Sequence, residues 1–253
     1  MDLGLNGKVA LVTGGSRGLG RTVCLHLAAE GANIVVNYRR NAELAEAVVA
    51  QLKEDHGVEA MSVHGDVSRE EDVREMFRRA EDRFSQVEIL VNNAAICPTR
   101  QVKEMPLGEW EETLAVNLTG TFLTSREMVR RLLDARRTGR IVNVSSQAAF
   151  RGSTTGHAPY DASKGGMVSL TVSLAREVAS HGIAVNAVAP GMMRTEMTAE
   201  TIEANQAKYL ARIPLGRIAK TEEIADVIVL LASQRASYMT GATVDVSGGM
   251  LMR

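Results

Sequence analysis

Short apolar runs alternate with longer amphipathic stretches from the first residues of the chain onward. Val9-Ala10-Leu11-Val12, Ile34-Val35-Val36, Val87-Glu88-Ile89-Leu90-Val91 and Ile141-Val142-Asn143-Val144 are nearly continuous in apolar character. Strands covered on both faces have that signature. Between them, Ala42 to Asp55 and Glu70 to Phe84 repeat their apolar positions at helical spacing. The rhythm is βαβαβ, which predicts an α/β fold: a parallel sheet with helices on both faces. Ala60 to Val63, Ala184 to Val188 and Thr243 to Val246 bring the expected strands to seven. Right-handed crossovers then restrict the topology to a doubly wound sheet. No Pro/Gly/Ser linker, internal repeat or low-complexity tract divides the chain, so residues 1–253 are expected to form a single domain. Residues 192–214 have weaker strand signal and a polar helical pattern, as a substrate lid over the strand ends would.

Composition narrows the function by exclusion. The 253 residues carry a formal net charge of −1, with 45% apolar and 23% charged positions, so no basic field is available to attract nucleic acid. The Arg pairs at 39–40, 78–79, 130–131 and 136–137 mostly have acidic neighbours and read as solvated helix faces, the first excepted. The two cysteines, Cys24 and Cys97, lack the clustering of a metal site or a disulfide framework. No signal peptide or membrane-length apolar run is evident, and a cytoplasmic location is expected.

Chemistry begins directly after the first run, at Thr13-Gly14-Gly15-Ser16-Arg17-Gly18-Leu19-Gly20, followed by a helical pattern. Glycines let the main chain turn tightly against a pyrophosphate, and the next helix aims its free amides at it. The end of the second strand, Asn37-Tyr38-Arg39-Arg40, should reach the adenosine ribose. An acid there would accept from a 2′-hydroxyl, but none lies between Ile34 and Asn41. Arg17 and Arg39 are instead suited to clamp a 2′-phosphate, so NADP(H) is expected in preference to NAD(H).

Tyr160 and Lys164 are four positions apart, hence neighbours on one helix face. A free tyrosine titrates near pH 10, and a nearby ammonium together with the positive charge of an oxidised nicotinamide is expected to bring Tyr160 down towards useful acid/base work.

Together, Thr13-Gly14 to Gly20, Asn92-Asn93-Ala94-Ala95, Asn117, Ser146, Tyr160-x-x-x-Lys164 and Pro190-Gly191-x-x-x-Thr195 resemble the short-chain dehydrogenases/reductases in order and spacing. The likeness extends over essentially the whole chain and implies a Rossmann-type fold and hydride transfer between a ketone and a secondary alcohol. It implies that Tyr160 is the general acid/base and that Lys164 holds the nicotinamide ribose. It also implies that Ser146 binds the substrate oxygen and that Asn117 positions a water serving Lys164. Cofactor contacts are implied at Gly14, Ser16, Arg17, Gly18, Leu19, Gly20, Asn37, Tyr38, Arg39, Asp66, Val67, Asn93, Ala94, Tyr160, Lys164, Pro190, Gly191, Met193 and Thr195, with Asp66 on the adenine. Asn92 resembles the residue that steadies the central strands. No metal is implied.

Two departures stand out. The chain has Ala95 where the family usually has glycine. Ser146 precedes Tyr160 by fourteen positions rather than the common thirteen, which leaves Ser145 as the alternative. His157 and His181 have no partner pattern and read as surface histidines. Met192, Met193 and Met197 are candidates for an adaptable pocket wall.

The nearest likeness is to bacterial 3-oxoacyl-[acyl-carrier-protein] reductases and glucose-dehydrogenase-like members. In the former, two basic residues near the site receive the acidic carrier; Arg137 matches one and His181 stands at the other. An acyl-thioester substrate is therefore expected, with sugar or cyclic-alcohol oxidoreduction as the alternative. A non-catalytic NADP-sensing protein would have eroded the Tyr/Lys/Ser/Asn set, which is intact. Relatives assemble as homotetramers, and the apolar stretch from Val227 to Leu231 and the tail Met250-Leu251-Met252 are compatible with burial between subunits.

Overall fold

The computed structural model describes residues 2–153, 155–196 and 198–252. Among them, seven strands form one parallel sheet in the order β3-β2-β1-β4-β5-β6-β7. The strands are β1 (Val9–Val12), β2 (Asn33–Tyr38), β3 (Ala60–His64), β4 (Ile89–Asn92), β5 (Gly139–Val144), β6 (Ile183–Pro190) and β7 (Thr243–Val246). All seven expected strands are present. β4 starts two residues later than the apolar run suggested, because Val87 and Glu88 still belong to the approach: the Glu88 amide donates to Val9 O there.

The α-helices are α1 (Gly18–Ala29), α2 (Ala42–His56), α3 (Glu70–Phe84), α4 (Leu107–Leu114), α5 (Gly120–Asp134), α6 (Ala148–Arg151), α7 (Ala158–Val178), α8 (Ala199–Leu210) and α9 (Thr221–Ala232). Period-two alternation sorts the strand side chains between two cores. Ala10, Val12, Ile34 and Val36 pack with Val23 and Leu27 of α1, Val48 and Leu52 of α2 and Ile228 of α9. Val9, Leu11, Val35 and Leu90 face the other way, onto Met76 and Phe77 of α3, Met128 and Leu132 of α5 and Val178 of α7. Burying each such side chain contributes about 1.5–3 kcal/mol, so the sheet is held from both faces.

The strand order reverses between β1 and β4, and a ligand crevice opens there beyond the carboxyl ends of the strands. Residues 192–214 leave the end of β6 and fold partly as α8, which kinks at Asn205. A parallel bridge from Met193 to Ala219 ties the excursion back to the body. Met197 lies outside the described residues.

The 227–231 stretch and the tail divide between the chain's own core and its surface. Ile228, Val229 and Leu231 are spent on the chain's own core, as are Met250 and Leu251. Only Leu230 and Met252, with Tyr238 nearby in sequence, leave apolar side chains exposed in that region.

Candidate active site

The first βα turn is built around its glycines. Gly14 and Gly18 adopt φ values of +62° and +50°, in the left-handed region. A Cβ on Gly20 would lie 2.3 Å from Gly14 O, so only glycine lets α1 approach the loop this closely. The turn is braced from three strands. Asn37 is buried, accepts from the Gly14 amide at 3.2 Å and donates to Gly65 O at 3.0 Å. Asn93 Nδ2 donates to Thr13 O and Gly14 O at 2.9 and 3.2 Å. Thr13 Oγ1 accepts from the amides of Asn93 and Ala94 at 2.9 and 3.0 Å. No side chain caps the N-terminus of α1 and no acid occupies its first turn. This glycine cradle at a free helix terminus fits the pyrophosphate of a dinucleotide.

The expected cofactor contacts divide along physical lines. Ser16 and Arg17 lie on the open loop, whereas the Leu19 side chain belongs to the core and has only its backbone to offer. The Asn37 amide is likewise turned into the protein and supports the loop. Tyr38 ends β2 with its ring edge-on to His64. Arg39 reaches across to Asp66, with Nε 2.9 Å from Oδ2. Burial pushes the Asp66 carboxyl up, but hydrogen bonds from Ser68 and the charges of Arg39 and Arg69 outweigh it and hold the group below its ordinary range. Val67 is buried beside it. On the other side of the crevice Pro190 ends β6, and the Gly191 amide donates to Val246 O. Thr195 comes over the glycine loop, within 3.7 Å of where a Cβ on Gly18 would be. Thr198 Oγ1 fixes that turn by donating to Met193 O at 2.7 Å.

Tyr160 sits in the first turn of α7, which Pro159 helps to start. Ser146, just beyond β5, faces the Tyr160 phenol and favours its charged form, and its Oγ accepts from the Ala148 amide at 3.1 Å. The Ser145/Ser146 alternative has a geometric answer: Ser145 is buried and donates its Oγ to Lys164 O at 3.0 Å, away from the phenol. Lys164 is buried, with Nζ donating to Val144 O at 2.6 Å and lying 5.6 Å from the Tyr160 ring centroid. Burial pushes its ammonium down to about 8.

For the phenol, the chain's own groups act separately from the charge of a bound nicotinamide. Burial drives Tyr160 above its ordinary value, the neighbouring Cys97 and Asp161 add to this, and Ser146 opposes it only in part. The ammonium is spent on a backbone carbonyl and faces the ring, so it does not offset that burial. Tyr160 is therefore a protonated phenol, the form that donates a proton.

Asn117 occupies a π-helical turn (Ala115–Thr119) joining α4 to α5. It accepts from Ile96 N at 2.9 Å and donates to Ile96 O at 2.9 Å and to Ser163 Oγ at 3.0 Å. Ser163 in turn donates to Tyr160 O at 2.7 Å. The side chain is thus a strut between the segment after β4 and the helix carrying Tyr160. Beneath it, Asn92 donates to Asn143 Oδ1 at 2.9 Å and accepts from Thr124 at 2.6 Å, cross-linking β4, β5 and α5.

Sequence reasoning missed several neighbours. His157 is no surface residue: it is half-buried, three positions before Tyr160, with Nδ1 3.1 Å from Pro98 O and 3.6 Å from Cys97 Sγ. Burial pushes the Cys97 thiol up to about 11, so it is an uncharged wall of the site. Only the position of His157 just before a Pro-started helix hinted at this. Conversely, Arg137 and His181 are not near the site of their own chain. They precede β5 and β6 at the amino ends of those strands, and β5 alone separates Arg137 from Ser146 by about 20 Å. Among the described residues no cluster of His, Cys, Asp and Glu could hold a metal ion, and no helix is long and apolar enough to cross a membrane.

Comparison with known proteins places this geometry. The family described as enoyl-(acyl carrier protein) reductase matches residues 14–251. A 3-oxoacyl-[acyl-carrier-protein] reductase of Aquifex aeolicus is 41% identical over 250 residues, covering 99% of this chain and all of that protein. A short-chain type dehydrogenase/reductase from Mycobacterium marinum superposes with a TM-score of 0.94 at 33% identity, over 98% of this chain and 97% of that one. A putative gluconate dehydrogenase from Agrobacterium tumefaciens gives 0.93 at 35% identity, over 98% of both chains.

Proposed function

This chain belongs to the short-chain dehydrogenase/reductase family and is an oxidoreductase acting on CH–OH groups, and on that premise we propose that it reduces 3-oxoacyl thioesters with NADPH. The observation that carries the reading is the buried Lys164, bonded to Val144 O at 2.6 Å and 5.6 Å from the Tyr160 ring centroid, with Ser146 two residues beyond that carbonyl at the strand ends that also hold the glycine cradle. The name of the Aquifex aeolicus relative, which shares full length with this chain, favours the 3-oxoacyl group as substrate.

Bound NADPH would supply the hydride. Ser146 and Tyr160 would hold the ketone oxygen between their hydroxyls and stabilise the negative charge that develops on it. Tyr160 enters as the neutral acid and passes its proton to that oxygen as the secondary alcohol forms. Lys164 would hold the nicotinamide ribose and stabilise the phenolate left behind. The water that restores the proton would be held near Asn117, whose side chain fixes the surrounding main chain. Arg17 and Arg39 would receive the 2′-phosphate, and Asp66 the adenine. Pro190, Gly191, Met193 and Thr195 would frame the nicotinamide, with residues 192–214 as the lid.

The exposed Leu230, Tyr238 and Met252 suit burial between subunits, and a homotetramer in the cytoplasm is part of this reading. The likeness to a gluconate dehydrogenase favours a second substrate class, polyols and sugars. Purified protein assayed with NADPH and NADH against acetoacetyl thioesters and a sugar panel decides between them. NADPH-dependent thioester reduction is expected; turnover confined to sugars, or a clear preference for NADH, overturns the proposal. Light scattering tests the tetramer, and a stable monomer refutes it.

A further inference from the structure

Arg39 is engaged by carboxylates of its own chain. Its Nε contacts Asp66 Oδ2 at 2.9 Å, and its NH1 lies 3.9 Å from Glu112 Oε1. The arm therefore runs from the end of β2 past the end of β3 towards α4, over the place where an adenosine ribose would lie. The two acids differ in character. Asp66 is mostly buried, with a side chain 17% exposed, and Oδ1 accepts from the Ser68 amide and hydroxyl at 3.0 and 2.6 Å. It is a fixed anchor. Glu112 is 55% exposed, and among the described residues Arg39 is its one charged partner.

A phosphate arriving at Arg39 meets a guanidinium already shared between carboxylates. It must either displace Glu112 or accept its charge a few ångströms away. Like charges at such distances repel by about 1 kcal/mol per pair of unit charges even in water, and a phosphate monoester carries nearly two. A dinucleotide without the phosphate neither needs the arm nor feels the repulsion.

We propose that Glu112 is a positioning residue for cofactor choice: it holds Arg39 back and so weakens binding of a 2′-phosphorylated dinucleotide relative to an unphosphorylated one. This rests on the reading that Arg39 receives the 2′-phosphate. The residue lies on α4, outside the glycine loop and the β2 end where cofactor preference is ordinarily read from sequence.

The test is calorimetric binding of NADP⁺ and NAD⁺, and of the fragments 2′,5′-ADP and 5′-ADP, to wild type, Glu112→Gln, Arg39→Met and the double variant. At low ionic strength Glu112→Gln should tighten NADP⁺ and 2′,5′-ADP by about two- to fivefold, the range of a solvent-exposed ion pair. NAD⁺ and 5′-ADP should be unchanged. The gain should shrink as salt is added and be clearly smaller in the Arg39→Met background, where only the direct repulsion between Glu112 and the phosphate is left. Equal tightening of both fragments, weaker binding of the phosphorylated one, or the same gain without Arg39 overturns the proposal. Failure of the underlying reading looks different: wild type and Arg39→Met would bind NADP⁺ equally well, and the proposal would fall with it.

Discussion

The ammonium of Lys164 donates to the carbonyl of Val144 at 2.6 Å, so the last residue of a central strand holds the lysine under the ring of Tyr160. The bond joins the two halves of the site, since Ser146 lies two residues beyond Val144. A cation buried in this way has a cost, which appears as an ammonium pushed down to about 8.

That cost has a sign that pH titration can read. The lysine in the unfolded chain titrates near 10.5 and in the folded chain near 8. Between those values the unfolded state binds more protons, so stability rises with pH through this window. Below pH 8 the full penalty applies, roughly 3 kcal/mol. Urea unfolding of wild type and Lys164→Met from pH 7 to pH 10.5 isolates the contribution from other groups. Wild type should gain stability relative to the variant as pH rises, and a flat difference would show that the lysine is not desolvated.

Tyr160→Phe removes the proton donor while keeping the ring packed beside Lys164. The variant should retain wild-type unfolding and lose about 10²- to 10⁴-fold in kcat, the range of a general acid. Steady-state kinetics with any turned-over ketone checks this, and a variant with half of normal kcat would remove Tyr160 from the mechanism.

Ser145 and Ser146 make a paired test. Ser146→Ala takes away the hydroxyl facing the phenol and should lower kcat by about 10²- to 10³-fold. Ser145→Ala breaks only the bond to Lys164 O and should cost about 1 kcal/mol of stability with modest kinetic change. Reversal of the two outcomes would reassign the oxygen-binding hydroxyl.

The sheet was legible in the sequence chiefly because its inner strands bury both faces and so carry nearly continuous apolar runs. Glycines were legible for a similar reason: Gly20 is required by a close approach that no side chain survives. Chemistry that depends on contacts across the chain was harder to read. His157 lacks any sequence partner because the groups it meets, Cys97 and Pro98, come from a loop about sixty positions earlier. Conversely, Arg137 was carried over by likeness as a basic residue near the site, and the fold sets it before β5, at the opposite end of that strand from Ser146. What Lys164 is bonded to was not legible either, because sequence spacing shows a neighbouring charge but not the Val144 carbonyl that holds it.

Asn117 gives the sharpest separation of support from chemistry. Its side chain uses one acceptor site and both amide hydrogens, on Ile96 and Ser163, at a place where α4 and α5 are joined by a π turn. Removing it leaves the part-buried Ile96 amide and carbonyl without their partner, at up to about 1–3 kcal/mol for each unsatisfied group. Asn117→Ala should therefore lower Tm and kcat together. Asn117→Asp keeps the acceptor for the Ile96 amide but sets a carboxylate against Ile96 O, and it should be worse than alanine in stability. Thermal unfolding and kinetics on both variants settle the point. An alanine variant with unchanged Tm and a collapsed kcat would mean that the residue acts on the reacting groups directly instead of bracing the helix that presents Tyr160.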